Sequence, residues 1–272
     1  MEHIQVAFEL PSAESGEILL ALLMDIGYEG FEENTGSLKA FIPAERYDAA
    51  ELEAVANTVG VPYVTESIQQ QNWNAIWESS FEPVIVDDFC TIRAHFHTVT
   101  STTPYEIIIT PKMSFGTGHH ATTQLMMMAM KDIDFNGKSV LDFGSGTGVL
   151  AILAAMLGAT DITGIDNDEW AVENAIENAE RNLVPGIAML QASLEQLPQR
   201  TYDILLANIN RHILLEHMQG LYQRLAGGGI LLMSGLLIAD EPIIAEAALE
   251  AGFQVDHVAE RSGWISIRCS KS

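Results

Sequence analysis

The run Val140-Leu141-Asp142-Phe143-Gly144-Ser145-Gly146-Thr147-Gly148 constrains the fold of this chain more than any other segment. An apolar stretch of strand type passes directly into three alternate glycines, and an apolar segment of helical length, Val149–Leu157, follows. Glycine lacks a Cβ, so the backbone can turn tightly there and let a ligand press against it. Strand, glycine turn and helix in that order form the arrangement that seats a nucleotide at a helix N-terminus. A purely structural strand-to-helix turn is the competing reading. A dinucleotide fingerprint requires G-x-G-x-x-G, and its last glycine would fall on Val149. The spacing found here is G-x-G-x-G, with Asp142 ahead of it.

From Val140 onward, strand-like and helix-like segments alternate, which implies a mainly parallel α/β sheet covered by helices on both faces. Strands are expected near Ser139–Phe143, Asp161–Asp166, Ile187–Gln191, Tyr202–Asn208, Ile230–Ser234, Phe253–Ala259 and Trp264–Cys269. Helices are expected over Asp168–Asn182, His212–Leu225 and Glu241–Ala251. Gly227-Gly228-Gly229 reads as a flexible reversal between a helix and a strand. Two further strand-like runs, Cys90–Phe96 and Tyr105–Thr110, lead into this domain, which is expected to cover residues 84–272.

Residues 1–67 read as a separate α+β unit. His3–Glu9 alternates like a strand, and Ile18, Leu19, Leu22, Leu23 and Ile26 then recur at helical spacing. Short strands near Tyr28–Glu32 and Leu38–Ile42 flank the turn Asn34-Thr35-Gly36. A second helix carries Leu52, Val55, Ala56 and Val59, and a strand from about Pro62 to Ser67 closes the unit. The order βαββαβ is that of a ferredoxin-like fold. Gln69-Gln70-Gln71-Asn72 suggests a linker spanning residues 68–83, in which Trp73 and Trp77 share a helical face.

Charge narrows the partners. Thirteen Lys and Arg stand against 37 Asp and Glu, a formal net charge of −24 over 272 residues. Such a surface repels phosphate backbones and speeds encounter with cationic partners, so direct nucleic-acid binding is not expected. The first unit is the more lopsided, with 13 acidic residues before position 67 against Lys39 and Arg46 alone. It holds no catalytic constellation and reads as a binding module for something basic. The opening Met1-Glu2-His3-Ile4-Gln5 lacks the basic start of a signal peptide. The longest nearly apolar stretch, Val149–Ala159, is far short of the roughly 20 residues of a membrane span. Cys90 and Cys269 form no metal-ligand pattern. A cytoplasmic protein without membrane or metal is the expectation.

Three more segments carry chemistry. Gly164-Ile165-Asp166 ends the strand after the glycine loop, and an acidic side chain there, about 20 residues beyond the glycines, can accept hydrogen bonds from both ribose hydroxyls. Asp168 and Glu169 suit the helix N-terminus that follows. Ala207-Asn208-Ile209-Asn210 ends the fourth strand, where a side chain points into the ligand crevice. Upstream lies Phe115-Gly116-Thr117-Gly118-His119-His120-Ala121-Thr122-Thr123, whose paired threonines can cap a helix beginning near Gln124. Met126, Met127, Met128 and Met130 read as core packing. His95 and His97 would share one face of a strand, without an evident third metal ligand.

The glycine strand end resembles motif I of the Rossmann-like class I methyltransferases. Together the four segments, in this order, resemble the bacterial lysine methyltransferases of large-subunit ribosomal protein eleven. That family shows a Phe-Gly-Thr-Gly-Thr-His-Pro-Thr-Thr loop, so His119 and Ala121 are departures, as is Asn210 at a usually apolar position. The resemblance implies a small ferredoxin-like substrate-gripping domain and a Rossmann-like domain that binds S-adenosylmethionine. By position it implies cofactor contacts at Thr123, Gly144, Gly146, Asp166 and Asn208, with Asn208 also catalytic. A ribosomal protein's lysine or N-terminal amine is the implied acceptor, with another protein or a small amine, or a non-catalytic module that only binds the cofactor, as the alternatives. Such an amine must be neutral to attack, and an apolar pocket disfavours the ammonium. Asn208 and nearby carbonyls are expected to orient it, and His119 or His120 could take its proton.

Overall fold

The computed structural model describes residues 3–34, 36–68, 82–98, 101–111 and 117–272. The expected linker tract Gln69–Asn72, Trp73, Trp77, Thr35 of the first turn, and Phe115-Gly116 of the threonine loop lie outside the described residues. The chain divides into two compact units, Met1–Ser80 and Phe81–Ser272. No helix among the described residues is long and apolar enough to cross a membrane.

The first unit runs β1 (His3–Glu9), α1 (Ala13–Asp25), β2 (Gly30–Asn34), β3 (Ser37–Pro43), α2 (Ala49–Val59) and β4 (Tyr63–Ile68). Its strands form an antiparallel sheet in the order β2-β3-β1-β4. Both helices start where a side-chain oxygen accepts orphan amide protons: Ser12 Oγ from Ser15, and Asp48 Oδ1 from Ala50 and Glu51. Gly60, left-handed at φ 74°, ends the second helix. Alternate residues of β1 and β3 (Val6, Phe8, Leu38, Ala40, Ile42) meet Leu19, Leu23, Leu52 and Val55 in one core. Ile18, read as part of the helical stripe, is 49% exposed; Leu19 and Leu23 carry the buried face.

The second unit opens with a small sheet, β5 (Val84–Val86), β6 (Cys90–Ala94) and β7 (Tyr105–Ile109), in that order. Val84–Val86 was not anticipated, since three residues give no period to read. The strand from Cys90 stops at Ala94, so His95 and His97 sit beyond it instead of on one strand face, and His97 Nδ1 accepts the Ala94 amide.

There follow α3 (Ala121–Met130), β8 (Ser139–Phe143), α4 (Val149–Met156), β9 (Asp161–Asp166), α5 (Glu169–Arg181), β10 (Ala188–Gln191) and β11 (Tyr202–Asn208). The chain closes with α6 (Arg211–Arg224), β12 (Leu225–Leu237), α7 (Glu241–Ala251), β13 (Gln254–Arg261) and β14 (Trp264–Ser270). The main sheet has the order β10-β9-β8-β11-β12-β14-β13, parallel except where β14 pairs antiparallel with β12 and β13. Period-two alternation sorts its side chains onto two faces. Val140, Ile204 and Leu206 join the core under α3, α4 and α5, with Met126, Met127 and Met130 fully buried. Leu141, Leu205 and Ala207 join the core under α6 and α7.

The glycine triplet is not a free reversal. Gly227–Gly229 lies inside β12, where Tyr202 pairs with Leu225 but Ile204 already pairs with Ile230. The extra residues bulge out, and Gly228 and Gly229 exchange backbone hydrogen bonds with Lys271. Strand order reverses at β8, flanked by β9 and β11. The crevice beyond the carboxyl ends of a parallel sheet, at such a reversal, is where ligands bind.

Candidate active site

The tips of β8, β9 and β11 deliver Phe143, Asp166 and Asn208 to one crevice. Between β8 and α4 the backbone takes left-handed conformations at Gly144, Gly146 and Gly148, with φ of 76°, 53° and 78°. The amides of Gly144 and Ser145 both donate to the Ile165 carbonyl at 2.9 Å, tying the turn to β9. A Cβ on Gly144 would collide with Ile209 Cγ2, so this position admits only hydrogen.

Asp166 holds the loop from the next strand. Its Oδ2 accepts the Gly146 amide at 2.9 Å and its Oδ1 accepts the Asp168 amide at 3.1 Å. A carboxylate has about four lone-pair sites, so each oxygen retains capacity for a hydroxyl donor. Asp142 lies beneath the loop, fully buried, with Oδ2 accepting the Ala151 amide at 3.2 Å. Burial, with the charge of Asp166 nearby, pushes the Asp142 carboxyl up to about 7.

Asn208 Nδ2 donates to Thr123 Oγ1 at 3.4 Å. With the amide so placed, Oδ1 is buried with no partner. An orphan acceptor in a ligand crevice is costly unless a ligand donates to it. Thr123 itself is buried and does not line the crevice; Thr122 does. Helix α3 begins at Ala121, earlier than expected, and the cap is His120, whose Nδ1 faces the Thr122 amide and hydroxyl. The threonines are therefore first-turn residues, not caps. His119 turns away: Nε2 meets the Glu82 carbonyl at 2.9 Å and Nδ1 meets Thr117 Oγ1 at 3.3 Å. Of the two candidate proton acceptors, only His120 lines the cavity.

The cavity has a volume of about 550 Å³. Part of its wall leaves no local signal in the sequence. Leu194 and Ser193 enter after β10, and Arg224 anchors that segment by donating to the Leu194, Leu197 and Pro198 carbonyls. His217 comes from α6, edge-on to Phe143 at 5.3 Å and bonded through Nδ1 to Glu195. Trp264 opens β14 and stands edge-to-face with His120, centroids 4.5 Å apart. These residues lie far apart in sequence, and no local spacing marks them. Among the described residues no group of three His, Cys, Asp or Glu side chains is placed to hold a metal.

A cofactor with a ribose, a planar base and a transferable group fits this donor set: Asp166 for hydroxyls, a glycine cradle and an apolar wall of Phe143, Ile165 and Leu194, with the unpartnered Asn208 Oδ1 beside them. On a seven-stranded sheet that is parallel but for β14, this site defines an S-adenosylmethionine-dependent methyltransferase of class I. The sequence profile of the family described as "Ribosomal protein L11 methyltransferase (PrmA)" matches residues 21–272, and the chain belongs to that family. A relative from Porphyromonas gingivalis, named ribosomal protein L11 methyltransferase, is 40% identical over 98% of this chain and 97% of its own length. One of the same name from Chlorobaculum tepidum is 39% identical over 88% of this chain and 86% of its own. The crystal structure of a ribosomal protein L11 methylase from Lactobacillus delbrueckii subsp. bulgaricus superposes with a TM-score of 0.67. It covers 71% of this chain and 100% of that chain at 28% identity.

Proposed function

We propose that the chain transfers methyl groups from S-adenosylmethionine to a lysine or N-terminal amine of ribosomal protein L11. The observation that carries this reading is the Asn208 amide, held by Thr123 with its oxygen buried and unpartnered at the edge of the cofactor crevice. When bound, the cofactor supplies an electrophilic methyl on a sulfonium. Gly144 and Gly146 would let its backbone-facing side approach, and Asp166 would take its ribose hydroxyls. Asn208 Oδ1 would accept an N–H from the incoming amine, leaving the nitrogen lone pair to face the methyl. An ammonium, which also donates N–H, loses water in this crevice, and burial favours its neutral form. The protein contributes placement and desolvation. No general base is obligatory; His120 lines the wall beside Trp264 and would receive the released proton.

The acidic first unit suits a basic ribosomal protein, and we propose that residues 1–67 recruit it, with the linker at 68–83 and the transferase domain from 84. The same charge argues against direct contact with nucleic acid. Cys90 and Cys269 are both buried and unpaired, which suits a reducing cytoplasm. Incubating purified L11 with the protein and S-adenosylmethionine, then measuring intact mass, tests the reading. Gains in whole methyl increments are expected with the native chain and none with Asn208→Ala; equal gains with both would remove Asn208 from the reaction.

A further inference from the structure

Among the described residues, strand β7 is an edge: β6 pairs with one side of it, and no strand covers the other. Its outward amides and carbonyls are instead met by a ladder of asparagines on α5 and at its C-cap. Asn182 Oδ1 accepts the Ile108 amide at 2.8 Å while its Nδ2 donates to the Ile108 carbonyl at 2.6 Å. Asn178 Oδ1 accepts the Thr110 amide at 2.8 Å, and Asn174 Nδ2 donates to the Thr110 carbonyl at 3.1 Å. The match is geometric. Four helical residues advance about 6.0 Å and two strand residues about 6.6 Å, so Asn182 and Asn178, four apart, meet Ile108 and Thr110, two apart, and Asn174 takes the remaining Thr110 carbonyl.

Asn178 does something its neighbours do not. With its oxygen on Thr110, its Nδ2 donates to the Thr147 carbonyl at 2.9 Å. Thr147 lies between Gly146 and Gly148, both left-handed, in the turn whose amide side meets Asp166. A peptide between two glycines has little intrinsic preference of its own. Asn178 is fully buried, so neither bond is shared with bulk water.

We infer that Asn178 is a positioning residue for the cofactor loop, fastening the Thr147 carbonyl to the end of β7. This rests on the reading of residues 144–148 as the cofactor cradle. Asn182 provides the control, because it clamps the same strand yet touches nothing in the loop. Calorimetric titration of the full chain with S-adenosylmethionine, well below each variant's melting temperature, separates the two roles. Asn182→Ala lowers the melting temperature and leaves the cofactor Kd within about twofold of native. Asn178→Ala raises that Kd by about tenfold, the scale of one buried hydrogen bond. Equal affinity in Asn178→Ala and native protein overturns the inference, as does an equal loss in both variants.

Asn178→Asp covers the case in which the alanine variant does not fold. The aspartate keeps the acceptor for Thr110 and, once ionised, sets an oxygen against the Thr147 carbonyl. Its cofactor affinity is expected to fall with rising pH relative to native protein; parallel profiles overturn the inference. Native protein that binds no S-adenosylmethionine removes the cradle reading itself, a result distinct from either of these.

Discussion

At the scale of single residues, the site depends on groups whose hydrogen-bonding capacity is only partly used. Asp166 holds Gly146 and Asp168 and retains lone pairs for a ligand. Replacing it with alanine removes a loop tie and the proposed ribose acceptor together; a Kd increase of at least tenfold is expected by calorimetry, with the circular dichroism spectrum unchanged. Asp142 gives a pH signature. Its folded value, about 7, lies above that of an unfolded carboxyl, so the native state binds the proton more tightly. Its contribution to stability is therefore full below about pH 4, falls as pH rises towards 7 and is flat beyond. Asp142→Asn keeps an acceptor for Ala151 but cannot ionise. Melting curves across pH 4 to 8 are expected to decline less steeply in the variant, and identical slopes would contradict the assignment. The place of Asp166 and Asn208 at strand ends beside the crevice was legible in sequence, because a strand end aims its side chain with little freedom. Thr123, expected as a cofactor contact, is buried behind the crevice wall, where it meets the Asn208 amide.

At the scale of elements, the decisive piece is the turn from β8 into α4. Gly144→Ala meets both a left-handed φ, costing roughly 1–2 kcal/mol, and the side chain of Ile209. A lower melting temperature with loss of cofactor binding is expected, measured by thermal melt and calorimetry on the same sample. The strands of the main sheet could be read from sequence because each carries an apolar run bounded by turn residues. The bulge at Gly227–Gly229 could not, since three glycines look the same whether they reverse the chain or swell a strand. The three-residue strand Val84–Val86 was too short to show a period. The asparagine ladder did leave a signal, Asn174, Asn178 and Asn182 at every fourth position, but its meaning needs the neighbouring edge strand.

Across the whole molecule, charge and division into two units are the governing facts. A net charge of −24 favours encounter with cationic partners, and salt screens that attraction. Replacing the exposed Glu51, Glu53 and Glu66 of the first unit by glutamine is expected to raise KM for the protein substrate, most at low ionic strength, while cofactor Kd stays unchanged. Salt-independent KM in native protein would contradict recruitment by charge. The walls contributed by Leu194, His217 and Trp264 belong to this scale too, because only the folded sheet brings them to the crevice.

The most direct test of the account is calorimetric titration of the native protein with S-adenosylmethionine and, separately, with a nicotinamide dinucleotide. Saturable binding of the sulfonium compound at one site, lost in Asp166→Ala, with no heat from the dinucleotide, is the predicted result. Binding of the dinucleotide instead, or sulfonium binding indifferent to Asp166, would contradict it.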